Sequence, residues 1–171
     1  MDYQSAFRFL VDDLEGDSGT ASVYGDTYGI EPQNWKLYCL KHGDNVVPIT
    51  RGGATHFYYD EYWVPLRCNE ISSGLDFCLF EWAVNHGSFG AVKSLQICVG
   101  CTPDGLIGPI TINAVRQANT AKVTALFLAR QVDWYKSDAL ANPDAPLVGW
   151  DNRVRKVCKI VGIDPKLVGL K

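Results

Sequence analysis

The sequence predicts a mainly α protein, on three observations. Apolar residues recur at helical spacing in five separate stretches, two-residue alternation is nearly absent, and one long early segment carries no period at all. The chain has 171 residues, 47% of them hydrophobic and 20% charged. That is the balance of an ordinary globular domain, and a chain of this length buries roughly two thirds of the surface it exposes when unfolded. The composition excludes disorder, a collagen-like repeat and a small disulfide scaffold. No apolar run approaches the roughly 20 residues that a membrane-spanning helix needs.

The helices follow in order. Phe7, Leu10, Val11 and Leu14 form one stripe at i, i+3, i+4, i+7, which stops at Glu15-Gly16. From Gly16 to Gly53 the chain is rich in Gly, Tyr, Asp and Pro and reads as loops and short turns. Leu75, Cys78, Leu79 and Trp82 resume the helical spacing after the turn-like Ser72-Ser73-Gly74, and Val92, Leu95 and Val99 continue it beyond Gly87 and Gly90. Val123, Leu126, Phe127 and Trp134 mark another helix, and Val154, Val157, Cys158 and Val161 the last.

The net charge of −3 argues against a nucleic-acid surface, but the charge is unevenly spread. Residues 151–171 hold six basic residues (Arg153, Arg155, Lys156, Lys159, Lys166 and Lys171) against Asp151 and Asp164, leaving ten basic and 17 acidic residues in the remainder. A basic tail on an acidic body suits docking to a polyanion, although a solvated helix face has the same composition. The first residues show no basic stretch followed by an apolar one, so no secretory signal is expected. The six cysteines are then read as reduced thiols. Cys98-Val-Gly-Cys101 lacks the second pair that a zinc site requires. Cys39 and His42 have the residue types of a thiol nucleophile and its base.

Glu15 stands where the first predicted helix meets the irregular segment. Long irregular segments in compact domains tend to be functional. The last carbonyls of a helix carry partial negative charge, and apolar neighbours disfavour an ionised carboxylate. A glutamate placed there is suited to keep a proton and act as a general acid.

Several motifs lie around and beyond it. Leu14-Glu15-Gly16 is followed by Tyr24-Gly25-Asp26-Thr27-Tyr28-Gly29-Ile30, and then by Phe57-Tyr58-Tyr59-Asp60-Glu61-Tyr62-Trp63-Val64-Pro65-Leu66. Phe80-Glu81-Trp82-Ala83-Val84-Asn85-His86-Gly87 comes next, then Leu95-Gln96, Asp104-Gly105-Leu106-Ile107-Gly108-Pro109 with Thr111, and Gly149-Trp150-Asp151-Asn152-Arg153-Val154. In this order, across nearly the whole chain, they resemble glycoside hydrolase family 108, the peptidoglycan muramidases that include phage endolysins.

The resemblance implies a lysozyme-like helical fold, with a catalytic region over residues 1–90. A peptidoglycan-binding helical region over 91–171 would be packed with it into one compact unit. It implies hydrolysis of the β-1,4 bond between N-acetylmuramic acid and N-acetylglucosamine, with Glu15 in the position of the catalytic acid. No metal or organic cofactor is implied, and the expected partner is peptidoglycan, met by a monomer without nucleic acid or membrane insertion. An endolysin would accumulate in the host cytoplasm and reach the wall through a separate permeabilising protein.

The family commonly has Glu-Gly-Gly-Tyr where this chain has Glu15-Gly16-Asp17, and the aspartate that the family places in the following loop has no clean counterpart. Glycosidic cleavage usually needs a second carboxylate about 5–10 Å from the acid. Asp26 is the first candidate, beside Thr27, whose hydroxyl would orient a water, and Asp17 is the second. A glutamate working alone remains open, as does a plain turn role for Asp26. Tyr28, Tyr58 and Trp63 are candidates to stack on pyranose rings, and Asn85 and Gln96 to contact acetamido groups. Tyr62 and Trp82 lie on apolar stripes and are expected in the core, and Glu81 is expected to make a structural hydrogen bond. Two other functions fit less of the sequence: a non-catalytic peptidoglycan-binding protein on the same fold, and a thiol-dependent wall amidase or peptidase using Cys39 and His42.

Overall fold

The computed structural model describes residues 1–15 and 25–171. Among them the regular structure is helical, and the one β-type pairing joins Thr27 to Ile30 across a tight turn. The chain divides into two compact units, residues 2–65 and residues 66–171 together with Met1. The boundary expected at residue 90 falls inside a helix of the second unit.

In the unit of residues 2–65, helix α1 (Tyr3–Arg8) starts at Asp2, whose carboxylate accepts from the Ser5 amide at 2.9 Å. It widens into a π-helical stretch, Phe9–Glu15, without losing its buried stripe of Ala6, Phe7, Leu10 and Val11. Wide turns of this kind are frequent at functional sites.

The segment read from sequence as loops contains a further helix, α2 (Pro32–His42). Proline at its first position needs no hydrogen-bond partner, and Gly43 at φ 75° closes it. Its stripe is short: Trp35, Tyr38 and Cys39 are buried, whereas Leu37 and Leu40 point outward. The missing period thus reflects a helix that buries only one narrow edge.

Helix α3 (Arg51–Tyr58) begins at Thr50, whose hydroxyl oxygen accepts from the Gly53 amide at 3.0 Å, and runs into a second π-helical stretch, Tyr59–Trp63. Gly53 is a point of close approach. A Cβ there would lie 2.8 Å from Cη2 of Trp35.

In the other unit, helix α4 (Leu75–His86) is buried on every side from Leu75 to Ala83. A helix apolar all round belongs in the middle of its neighbours, and α5 (Ser88–Cys98) and α7 (Thr120–Ala141) pack against it. Helix α6 (Pro109–Gln117) begins with a proline, α7 is capped by Asn119, and α8 (Leu147–Val161) packs on α7 and ends at Gly162 in the left-handed region. Trp82 is in this core, edge-on to Phe127 with centroids 4.8 Å apart, as its stripe predicts. Tyr62, expected in the core of the first unit, is half-buried.

Candidate functional site

Glu15 is the last residue of the π-helical stretch and is half-buried. The segment facing it is a two-residue turn. The Thr27 amide donates to Ile30 O at 3.1 Å, and the Ile30 amide donates to Thr27 O at 3.0 Å. Tyr28 (φ 55°) and Gly29 (φ 73°) between them are both left-handed, the signature of a type I′ turn. Tyrosine rarely adopts that conformation. Here its carbonyl is held by the Tyr58 hydroxyl, which donates to Tyr28 O at 2.9 Å from helix α3.

Gly29 brings these pieces into one place. A Cβ at Gly29 would lie 3.0 Å from Oη of Tyr58, 3.1 Å from Cγ of Glu15 and 3.3 Å from Cδ of Glu15. The carboxyl group of Glu15 is therefore pressed against a bare backbone, with the Tyr58 hydroxyl beside it.

One helical turn before Glu15, Asp12 makes a two-pronged ion pair with Arg51 of α3 at 2.8 and 2.9 Å. The Arg51 guanidinium also lies over the ring of Phe7, 5.5 Å from its centroid. Its hydrogen bonds and charge hold Asp12 below the usual carboxylate range. This pair ties the helix carrying Glu15 to the helix carrying Tyr58. No sequence pattern announced it, because the two residues are far apart in the chain.

The remaining predicted residues separate. Asp26 and Thr27 are half-buried at the start of the turn, and Tyr28 is half-buried within it. Tyr58 is 1% exposed and Trp63 is 0% exposed. Neither has a ring face to offer a sugar, which corrects the stacking role expected of them. Tyr58 contributes its hydroxyl instead, and the Trp63 ring packs against Tyr3 at 5.4 Å. Asp17 lies outside the described residues.

Asn85 and Gln96 belong to the other unit. Gln96 is 1% exposed, and its side chain is fully engaged in holding the loop after α5. Its Nε2 donates to Asp104 Oδ1 at 2.6 Å, to Leu106 O at 3.0 Å and to Thr111 Oγ1 at 3.2 Å, while its Oε1 accepts from the Gly105 amide. It is a structural amide, not a substrate contact. Asn85, half-buried at the end of α4, donates to the Tyr135 hydroxyl at 3.1 Å and lies 3.1 Å from His86 Nε2.

Glu81 fills the structural role expected of it. It is fully buried, accepts from Gln131 at 2.8 Å and pairs with Arg153 at 3.0 Å. Arg153 is therefore committed to the interior and is no part of an exposed basic tail.

The thiol readings find no exposed pair. Cys39 is buried, and the His42 ring sits on Tyr38 with centroids 4.4 Å apart. Burial pushes the Cys98 thiol up to about 11. Among the described residues no three His, Cys, Asp or Glu side chains gather as metal ligands, and no helix is long and apolar enough to cross a membrane.

Comparison with known proteins follows the same stretch of chain. Residues 11–87 match the family profile of glycosyl hydrolase 108. The match covers a little under half of the chain and includes Glu15, Asp26, Thr27, Tyr28, Tyr58, Trp63 and Asn85 but not Gln96. No curated protein sequence matches significantly. The solved structure of Brucella abortus SagA is similar, with 24% identity and a TM-score of 0.74 over 93% of this chain and 92% of that one. The chain thus has a mainly α, lysozyme-like fold.

A cavity of about 390 Å³ in the unit of residues 2–65 lies apart from Glu15. It is lined by Trp35, Tyr38, Cys39, Thr50, Gly53 and His56 among others. Gly53 and His56 project from the flank of α3 opposite Arg51 and Tyr58, as the helical period of 3.6 requires. The chemistry available around Glu15 is that of a half-buried carboxyl group at a helix end, packed on the Gly29 turn beside the Tyr58 hydroxyl, with a second carboxylate, Asp26, three residues before that glycine.

Proposed function

We propose that this protein is a glycoside hydrolase of bacterial peptidoglycan, cleaving the β-1,4 bond between N-acetylmuramic acid and N-acetylglucosamine. The observation that carries the reading is the seat of Glu15. A carboxyl group sits at the end of a π-helical turn, packed on Gly29, within the stretch that matches glycosyl hydrolase 108.

In this reading Glu15 donates its proton to the leaving glycosidic oxygen as the C1–O bond breaks, and positive charge develops on the sugar ring. Water then completes the hydrolysis, with Asp26 as the second carboxylate and the Thr27 hydroxyl orienting the water. Packing against the Gly29 backbone limits the rotamers of Glu15. Catalysis by a positioned acid depends on such restriction, since small misplacements cost large factors in rate. Tyr28, half-buried in the turn, is the remaining candidate from the turn for a sugar contact. The second unit would hold the wall, and the biological setting would be phage-type lysis of a bacterial host from within. The resemblance of the motifs to endolysins supports that setting.

The test is clearance of purified peptidoglycan by the wild type, Glu15→Gln and Asp26→Asn, with mass analysis of the products. The expected result is reducing-end muramic acid from the wild type. Removal of a general acid should lower the rate by at least about 100-fold in Glu15→Gln. Free stem peptides would overturn the glycosidase reading. A wild type that sediments with the wall but releases nothing would identify a binding protein.

A further inference from the structure

We propose that the unit of residues 66–171 carries a sugar-binding platform of its own, built from Trp134, Trp150, His86 and Asn85. The platform seats the flat face of an N-acetylated pyranose ring. The choice of ligand rests on the peptidoglycan reading above; the site does not include Glu15.

Three rings meet at the junction of α4, α7 and α8. The His86 centroid lies 4.3 Å from that of Trp134 and 5.5 Å from that of Trp150, and the two indoles are 6.2 Å apart. Tyr135, fully buried, stacks on Trp150 at 4.8 Å with only 18° between the planes. The cluster is therefore anchored from below.

The anchor is polar and continuous. Asn85 and Gln131 both donate to the Tyr135 hydroxyl at 3.1 Å, Gln131 also donates to Glu81, and Glu81 pairs with Arg153. Such a network fixes ring positions that packing alone would leave loose. Above it, Trp134 is 42% exposed. An indole held rigidly at a surface costs little further entropy when a ligand covers it.

The groups around the rings select the ligand. Aromatic faces carry partial negative charge and favour the C–H face of a sugar. The Asn85 amide nitrogen is committed to Tyr135 and His86, while its oxygen meets no donor among the described residues. That oxygen is an acceptor suited to an acetamido N–H. If Nε2 of His86 accepts from Asn85, the ring proton sits on Nδ1 as a further donor.

The local charge disfavours a polyanion. Arg153 is paired with Glu81, and the carboxylate of Asp138, one turn beyond Trp134 on α7, is close enough to His86 to act on its charge. His86 is held neutral, its pKa lowered to about 4 by burial and by Arg153. An uncharged, N-acetylated ring fits this surface, and a teichoic-type phosphate polymer does not.

The experiment uses the full chain carrying Glu15→Gln and 5-fluorotryptophan, titrated with the N-acetylglucosamine tetramer and followed by ¹⁹F NMR. The Trp134 and Trp150 signals, assigned by substitution, are expected to shift saturably. Trp134→Ala is expected to weaken the binding reported by Trp150 at least about tenfold. Its melting temperature should fall modestly, because Trp134 is 42% exposed but packs on His86, and binding is compared where the variant is fully folded.

Absence of any shift at millimolar sugar would overturn the platform, and so would an unaltered Trp150 titration in Trp134→Ala. Stronger shifts with polyphosphate than with the tetramer would overturn the choice of a neutral ligand. Failure of the hydrolase reading looks different: the wild type would release free stem peptides, or nothing, from peptidoglycan, whatever the tryptophan signals do.

Discussion

At the residue scale the site depends on a hydrogen atom where every other amino acid has a side chain. Gly29 sits at φ 73°, and the space a methyl group would occupy is bounded by Tyr58 Oη at 3.0 Å and Glu15 Cγ at 3.1 Å. Gly29→Ala therefore meets two penalties. A left-handed alanine costs roughly 1–2 kcal/mol, and the methyl group pushes on the carboxylate or on the hydroxyl that pins Tyr28. The expected outcome is a modest loss of melting temperature together with at least about a tenfold fall in the rate of peptidoglycan clearance, measured where the variant is fully folded. A rate that falls only with the folded fraction would leave Gly29 a purely structural role.

Glu15 and the turn could be picked out from the sequence, because helix periodicity ends at one and the Gly-rich motif marks the other. The role of Tyr58 could not. Its ring is in the core and its hydroxyl is in the site, and a motif of alternating tyrosines does not say which end of each ring reaches the surface.

At the element scale, the strongly periodic helices were readable and the narrow ones were not. The stripe that runs from α1 into the π-helical stretch, and those of α4, α5, α7 and α8, each extend over about two turns, whereas α2 buries Trp35, Tyr38 and Cys39 and little else. Its proline start and glycine stop were the better signals. The buried polar contacts between elements were invisible for another reason: Glu81, Gln131 and Arg153 come from α4, α7 and α8 and meet only in three dimensions.

These three residues give the sharpest stability prediction. Glu81 is 0% and Arg153 10% exposed, so removing either partner strands a buried charge. Arg153→Ala is expected to destabilise the protein by about 3–5 kcal/mol. Replacing both partners with apolar residues of similar volume should recover part of that loss. Chemical denaturation of the two single variants and the double variant measures the coupling. Additive losses would mean that the pair contributes no specific interaction.

For the whole molecule the question is what the uneven charge does. Residues 151–171 hold six of the 16 basic residues, but the structure removes Arg153 from the exposed set. The guanidinium of Arg155 reaches the carbonyl of Lys171, and Lys156, Lys159 and Lys166 are exposed. If this surface holds an anionic envelope, its effect is long-ranged and screened by salt. The Debye length falls from roughly 30 Å at 0.01 M to about 8 Å at 0.15 M ionic strength. Changing Arg155, Lys156 and Lys159 together to glutamine should therefore weaken sedimentation with intact walls several-fold at low salt. At physiological salt the variant and the wild type should converge. The sugar platform predicts no such dependence for Trp134→Ala, a loss that persists at both salts because stacking on a neutral ring is not screened. Measuring both variants at both ionic strengths separates a charged tether from a glycan contact. An unchanged salt response in the triple variant would return the tail to the role of a solvated helix face.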